Sequence, residues 1–223
     1  MSTKKFPTIT TPKGTAIFPK LNEPDRKFNP EGVYSVTLRL PDAEAKPLIA
    51  KLTTIHDEAL AEEAKRLGKK NLKAGAKPWK VATDWDKDTE SRVEVPGFTD
   101  FSFKLKAKVT TKSGKSWEQR PQLFDAKLTP MPEDSDPVGG GSIIRVNAEV
   151  YPWYTASLGF GISLRPRGVQ VIDLKTYGGS KDGSSFGFEA DEDGYAFTGT
   201  VTPKGDSATK SSTTDGEDEN GDF

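Results

Sequence analysis

Phe101-Ser102-Phe103-Lys104-Leu105-Lys106-Ala107-Lys108-Val109 alternates apolar and polar residues without a break. A strand has a period of two, so Phe101, Phe103, Leu105, Ala107 and Val109 share one face, and Ser102, Lys104, Lys106 and Lys108 share the other. The first face is core. The second is a line of lysines about 7 Å apart, close to the spacing of phosphates along a nucleic-acid strand. This stretch therefore predicts a half-buried strand of a β fold that turns a cationic face outward. A merely solvated strand face is the plain alternative, and the surrounding aromatic residues weigh against it.

The same alternation recurs on both sides. Residues 32–40 place Tyr34, Val36, Leu38 and Leu40 on one face. Residues 143–153 and 156–164 read as two long strands, and 168–174 close the β region. After a turn at Ser113-Gly114, residues 120–128 read as a return strand. Residues 6–30 are polar and proline-rich, which predicts extended edge segments rather than a helix. One helix is predicted over residues 43–67, with Asp42 as its cap, Gly68 as its stop and Leu48, Leu52, Ile55 and Ala59 along one stripe. Residues 69–100 read as a long connection carrying Lys69, Lys70, Lys73, Lys77 and Lys80 around Pro78-Trp79. Five to seven strands and one helix make a mainly β fold, a small barrel with long loops.

Charge divides the chain. Residues 189–223 hold ten Asp+Glu against two lysines, a net of −8, while residues 1–188 hold 30 Lys+Arg against 23 Asp+Glu, a net of +7. The formal total of −1 hides a basic body joined to an acidic tail. Residues 205–222 cannot bury enough apolar surface to offset their ordering entropy, so the tail is expected to be disordered. It ends on Asp222-Phe223, and with Asp215, Glu217, Asp218 and Glu219 this terminus reads as a docking peptide: acidic residues steer it and the last ring fills a partner's pocket. The expected domains are thus 1–188, a nucleic-acid-binding body, and 189–223, the tail.

Other chemistry finds little support. Without cysteine there is no disulfide, thiolate nucleophile or Cys-type zinc site. Asp84, Asp86 and Asp88 start like a calcium loop, but Thr89 stands where glycine belongs and Val95 where glutamate belongs. Gly139-Gly140-Gly141-Ser142 lacks the Gly-Lys-Ser/Thr ending of a nucleotide loop and precedes a strand, so a close backbone approach fits it better. The one histidine, His56, lies on the helix stripe with no partner for catalysis. No enzyme activity, metal or cofactor is expected. There is no apolar run of 18 residues and no apolar segment after Met1-Ser2-Thr3-Lys4-Lys5, so neither a membrane span nor a secretory signal is expected.

What remains is cationic and aromatic. Lys104 and Lys106 lie on the strand face, and Lys77 and Lys80 flank Trp79 in the long connection. Trp153 and Tyr154 close the run Tyr151-Pro152-Trp153-Tyr154 at a strand end, taken together with Arg145. Lys4 and Lys5 add charge at the N-terminus. Lysines release counterions from phosphates, and bases of single strands stack on aromatic rings whatever their sequence.

Several stretches together resemble the bacteriophage T7-type single-stranded DNA-binding protein family. They are Phe28-Asn29-Pro30-Glu31-Gly32-Val33-Tyr34, His56-Asp57-Glu58-Ala59, the strand from Phe101 to Lys106, Gly139 to Ser142 leading to Tyr151-Pro152-Trp153-Tyr154, and Gly221-Asp222-Phe223. Order and spacing agree over residues 28–223. The resemblance implies an OB-fold five-stranded barrel with one inserted α-helix, binding single-stranded DNA in phage replication, recombination and repair. It implies that Lys104 and Trp153 lie in the DNA groove. It also implies that the tail competes with DNA, contacts a phage DNA polymerase and helicase/primase-type proteins, and supports a homodimer, all in the cytoplasm of an infected bacterial host. Glu31 departs from the family's pattern, which is basic there, and no DNA-binding role is carried to it. The competing expectation is a non-enzymatic phage structural or adaptor β-barrel whose tail serves solubility alone.

Overall fold

Alternation does set the core. The computed structural model describes residues 5–111 and 113–176. In chain order the elements are β1 (Thr8–Thr10), β2 (Gly14–Asp25), β3 (Val33–Pro41), α1 (Asp42–Leu67), β4 (Trp79–Asp86) and β5 (Ser91–Lys106). They continue with β6 (Lys108–Thr110), β7 (Ser116–Glu118), β8 (Gln122–Phe124), β9 (Ile143–Thr155) and β10 (Gly159–Asp173).

Five long strands lead back to their start. β2 pairs with β3, and β3 with β5, both antiparallel. β5 meets β10 in parallel at Phe103–Leu164, β10 pairs antiparallel with β9 along most of its length, and β9 returns to β2 at Gly14–Ile144 and Thr15–Ile143. Two short seams make this an OB-like, partly open barrel. Its interior is the set that alternation selects: Val36, Leu38 and Leu40 from β3, Phe101 and Phe103 from β5, Ile144, Val146 and Val150 from β9, Ile162 and Leu164 from β10. α1 sits between β3 and β4 in sequence and lays Ala45, Leu48 and Leu52 onto this core, with Ile49 and Ile55 beside them.

Several expectations are revised. The predicted connection 69–100 instead contains β4 and the first half of β5, a two-stranded ribbon turned at residues 87–90. Half of the ribbon lies off the core, so its faces do not alternate cleanly. The lysine strand ends at Lys106; Ala107 donates its N–H to the Gly32 carbonyl, and Lys108 opens a separate two-stranded sheet opposite Glu118. Of residues 120–128 only β8 is strand, and it runs parallel to β10. The stretches 156–164 and 168–174 are one strand, β10, continuous through a bulge at Pro166/Gly168. β2 belongs to the barrel rather than to its edge, because Pro19 falls at a register shift where no ladder bond is needed. Asp42 is the first helical residue, not its cap; its carboxylate accepts the Thr99 hydroxyl at 2.8 Å, and Pro41 precedes it without a side-chain cap.

The glycine run makes the close approach expected of it. Gly139 donates its N–H to the Lys175 carbonyl at 2.6 Å, and the Ser142 hydroxyl both accepts from the Lys175 N–H and donates to its carbonyl. The barrel thereby holds the chain just before the described part ends at Thr176. The boundary expected at 188/189 and the acidic tail lie outside the described residues.

Candidate nucleic-acid interface

The outward faces of neighbouring strands assemble one band. On β5 the outward residues are Ser102, Lys104 and Lys106, opposite buried Phe101, Phe103 and Leu105. On β10 Ser163 and Arg165 point outward, alternating with buried Ile162, Leu164 and Pro166. The Leu164–Phe103 bridge is an inward pair, so the next residue on each strand, Arg165 and Lys104, are outward neighbours. On β9 the outward residues are Glu149, Tyr151 and Trp153, registered against Arg165, Ser163 and Gly161. Lysine, arginine and aromatic residues thus follow one another across three strands.

The band's polar heads are largely uncommitted. Among the described residues, neither the Lys104 nor the Lys106 ammonium has a hydrogen-bond or ion-pair partner, although the Lys106 backbone carbonyl accepts from the Gln119 amide at 3.0 Å. Arg165 stacks its guanidinium on the Tyr151 ring, 3.3 Å from the ring centroid, and Phe6 meets the same ring edge-on at 4.9 Å. A guanidinium held this way keeps its donors for another acceptor while its π-face is satisfied. Arg167 faces Glu149 at 3.5 Å. Beside them a groove of about 650 Å³ opens between β8, β9 and β10, lined by Arg120, Arg165 and Arg167 among others.

Trp153 owes its place to glycine. A Cβ at Gly161 would come 2.5 Å from the indole, and one at Gly75 would come 2.9 Å from it. Without side chains at those two positions the ring settles against backbone and remains half exposed. Tyr154, the next residue, necessarily points to the opposite face. It pairs with buried Phe160, and Lys69 reaches its hydroxyl at 3.3 Å near the end of α1. Trp153 and Tyr154 therefore cannot stack bases of one strand segment side by side.

The remaining candidates are dispersed. Trp79 is registered with Phe101 and packs on the main core, with Lys77 5.5 Å over its ring. Lys80 stands exposed opposite Asp100. Arg145 does not lie near Trp153: it is eight residues away on β9, about 27 Å at strand spacing. It pairs in register with Gln170. Lys5 lines a cleft of about 210 Å³ on the helix side, with Glu58 and Glu62. Lys4, Asp215, Glu217, Asp218, Glu219, Asp222 and Phe223 lie outside the described residues. Glu31 accepts from Thr110 at 3.5 Å and lines a second cleft with Arg26, Lys108 and Arg120.

One outward cation is already spent. Arg39 donates from Nε to Asp100 at 2.9 Å, pairs with Asp84 at 2.9 Å and donates to the Thr83 carbonyl at 3.1 Å. The hydrogen bonds it donates to Asp100 hold its guanidinium above the ordinary arginine value. The calcium-like aspartates resolve into structure as well. Asp84 belongs to this cluster, and Asp86 closes its own turn, held below the usual carboxylate range by the N–H of Asp88 and the Thr89 hydroxyl. Among the described residues no group of three His, Cys, Asp or Glu could hold a metal ion, and no helix is long and apolar enough to cross a membrane.

Tyr151, Arg165, Arg167 and Arg120 were not among the sequence candidates. The two β10 arginines carry the signal that found Lys104: Ser163, Arg165 and Arg167 alternate with Ile162, Leu164 and Pro166.

Known proteins share this fold. The family model described as single-stranded DNA-binding protein of bacteriophage T7 matches residues 14–174. The single-stranded DNA-binding protein of Escherichia phage T7 is 30% identical over 189 residues, covering 82% of this chain and 79% of that protein. The crystal structure of the bacteriophage T7 single-stranded DNA-binding protein superposes with a TM-score of 0.62 at 25% identity, covering 86% of this chain and 100% of that one. The single-stranded DNA-binding protein of bacteriophage Enc34, solved in complex with single-stranded DNA, gives a TM-score of 0.52 at 15% identity, covering 77% and 89%. At that identity the likeness concerns the fold alone.

Proposed function

This chain belongs to the bacteriophage T7-type family of single-stranded DNA-binding proteins, which bind rather than catalyse, and from that premise we propose that it coats single-stranded DNA without sequence preference during phage replication and recombination. The observation that carries the reading to particular residues is the outward band itself. Lys104 and Lys106 on β5, Arg165 on β10, and Tyr151 and Trp153 on β9 put cations with uncommitted donors beside partly buried rings on adjacent strands. Cations at this spacing meet phosphates, and every base offers a π-face to a ring, so affinity follows the backbone and not the sequence. Lys77, Lys80 and Trp79 border the band at β4; Lys4, Lys5, Tyr154 and Arg145 stand apart from it or outside the described residues and would contribute to longer DNA.

The acidic segment completes the proposal. From Lys175 to Arg165 is ten residues of chain, at most about 35 Å, whereas the 48 residues after Lys175 could extend several times as far. Asp215, Glu217, Asp218, Glu219 and Asp222 would then compete with phosphates for the band, and DNA that displaces them would free Phe223 to dock on the phage polymerase, a helicase/primase-type protein or a second copy. The working place would be the cytoplasm of the infected host.

One titration tests both halves. Oligothymidylate added to the full chain should quench tryptophan emission, with affinity falling steeply as salt rises. A chain ending at residue 204 should bind more tightly, most of all at low salt, because opposite charges beyond about 8 Å are screened at physiological ionic strength. No quenching and no gel shift at low salt would overturn DNA binding. Equal affinities for both chains would leave the tail to solubility alone.

A further inference from the structure

β2 carries an aromatic residue that the barrel does not need. Ile17 pairs with Thr37 and Lys20 with Ser35, so Phe18 and Pro19 together oppose the single residue Val36. Pro19 takes the inward place and is buried; Phe18 is pushed outward and is 77% exposed. Its φ is +48°, a left-handed backbone that costs any residue with a Cβ, and a bulky one most clearly. Glycine or asparagine would make the same bulge with less strain, and almost any polar residue would leave less apolar surface in water. A strained, exposed ring of this kind suggests a role outside the fold.

Its position supplies the role. Lys20 is registered with Ser35, Ser35 with Lys104, and Lys104 stands beside Arg165. All four are outward, so they form a row running across the strands. On β9 the residue in register with Arg165 is Glu149, which Arg167 faces at 3.5 Å; Tyr151, under the Arg165 guanidinium, and Trp153 follow it along β9, and Phe18 lies at the other end of the row. Followed round the barrel wall, β9 to β2 is four strand spacings, so DNA on this path curves with the wall instead of lying straight.

We propose that Phe18 is a second base-stacking platform, and that bound single-stranded DNA crosses the sheet from Trp153 and Tyr151, over Arg165, Lys104 and Lys20, to lay a base on the Phe18 ring. This rests on the reading of the band as the DNA site, and it adds to that reading the direction of the path and its far end.

Phe18→Gly separates function from fold, because it removes the ring and the strain together. In the full chain, with an oligothymidylate of about 16 nucleotides as probe, affinity should fall about fivefold to a hundredfold. The thermal midpoint should hold or rise. Phe18→Trp should restore affinity and add quenchable emission. Wild-type affinity in Phe18→Gly would overturn the platform, and so would a joint loss of affinity and stability, which would make the ring structural. A wild-type chain that fails to bind the probe at all would instead overturn the DNA-binding reading beneath it.

Discussion

Reversing two charges, Lys104→Glu with Arg165→Glu, should lower affinity for oligothymidylate by at least on the order of a hundredfold at low salt. Each residue is proposed to meet a phosphate, and a hydrogen bond to a charged group is worth about 1.5–3 kcal/mol. Two such contacts amount to roughly 3 kcal/mol or more, and about 1.4 kcal/mol is tenfold in affinity. The slope of log affinity against log salt should also become shallower by about 1.4, since each contact with single-stranded DNA contributes about 0.7. The pair Lys51→Glu with Lys65→Glu makes the same change in net charge on exposed positions of α1. Affinity in that control should fall far less. Equal losses in the two double variants would mean that net charge matters and the band does not.

Arg39→Ala should have the largest effect on stability, about 3–5 kcal/mol, because it strips a partner from a buried charge. Asp100 is 5% exposed and Arg39 is 11% exposed at the side chain, so little water can replace the lost bonds. For a chain of this size that is a fall in thermal midpoint of roughly 6–20 °C. Asp100→Asn added to Arg39→Ala should recover part of the loss, since a neutral amide costs less to bury than a carboxylate. The DNA salt slope of whatever remains folded should not change, because the Arg39 charge is committed to Asp84 and Asp100. A loss below about 1 kcal/mol would show that solvent screens the pair as at a surface.

These two residues mark what a one-dimensional reading reaches. Period two separated Phe101, Phe103 and Leu105 from Lys104 and Lys106, because a strand with one buried face must alternate. The helix stripe was legible for the same reason, with Leu48 and Leu52 inward. Period two also forbids Trp153 and Tyr154 a common face, and it selects Arg165, so both were present in the letters. Pairing was not. Trp79 reads as a platform until its register with Phe101 turns it to the core. Arg39 is outward by spacing, but only the pairing of β3, β4 and β5 brings Asp84 and Asp100 to it. The ribbon of β4 and β5 lies partly off the core, so burial never imposed a pattern on residues 79–100. Lys108 joined the lysine line by spacing alone, and the break at Ala107 depends on a bond to Gly32 across the barrel. Phe18 depends on where β2 carries one residue more than β3 opposes, which β2 by itself does not disclose.

Lysine-labelling protection on the full chain tests the location of the site most directly. With an acylating reagent and mass spectrometry, saturating oligothymidylate should protect Lys104, Lys106 and Lys20 strongly while leaving Lys51 and Lys65 on α1 as reactive as before. Protection spread evenly over the lysines, or centred on the α1 face with Lys104 still reactive, would contradict a DNA path across β9, β10, β5, β3 and β2.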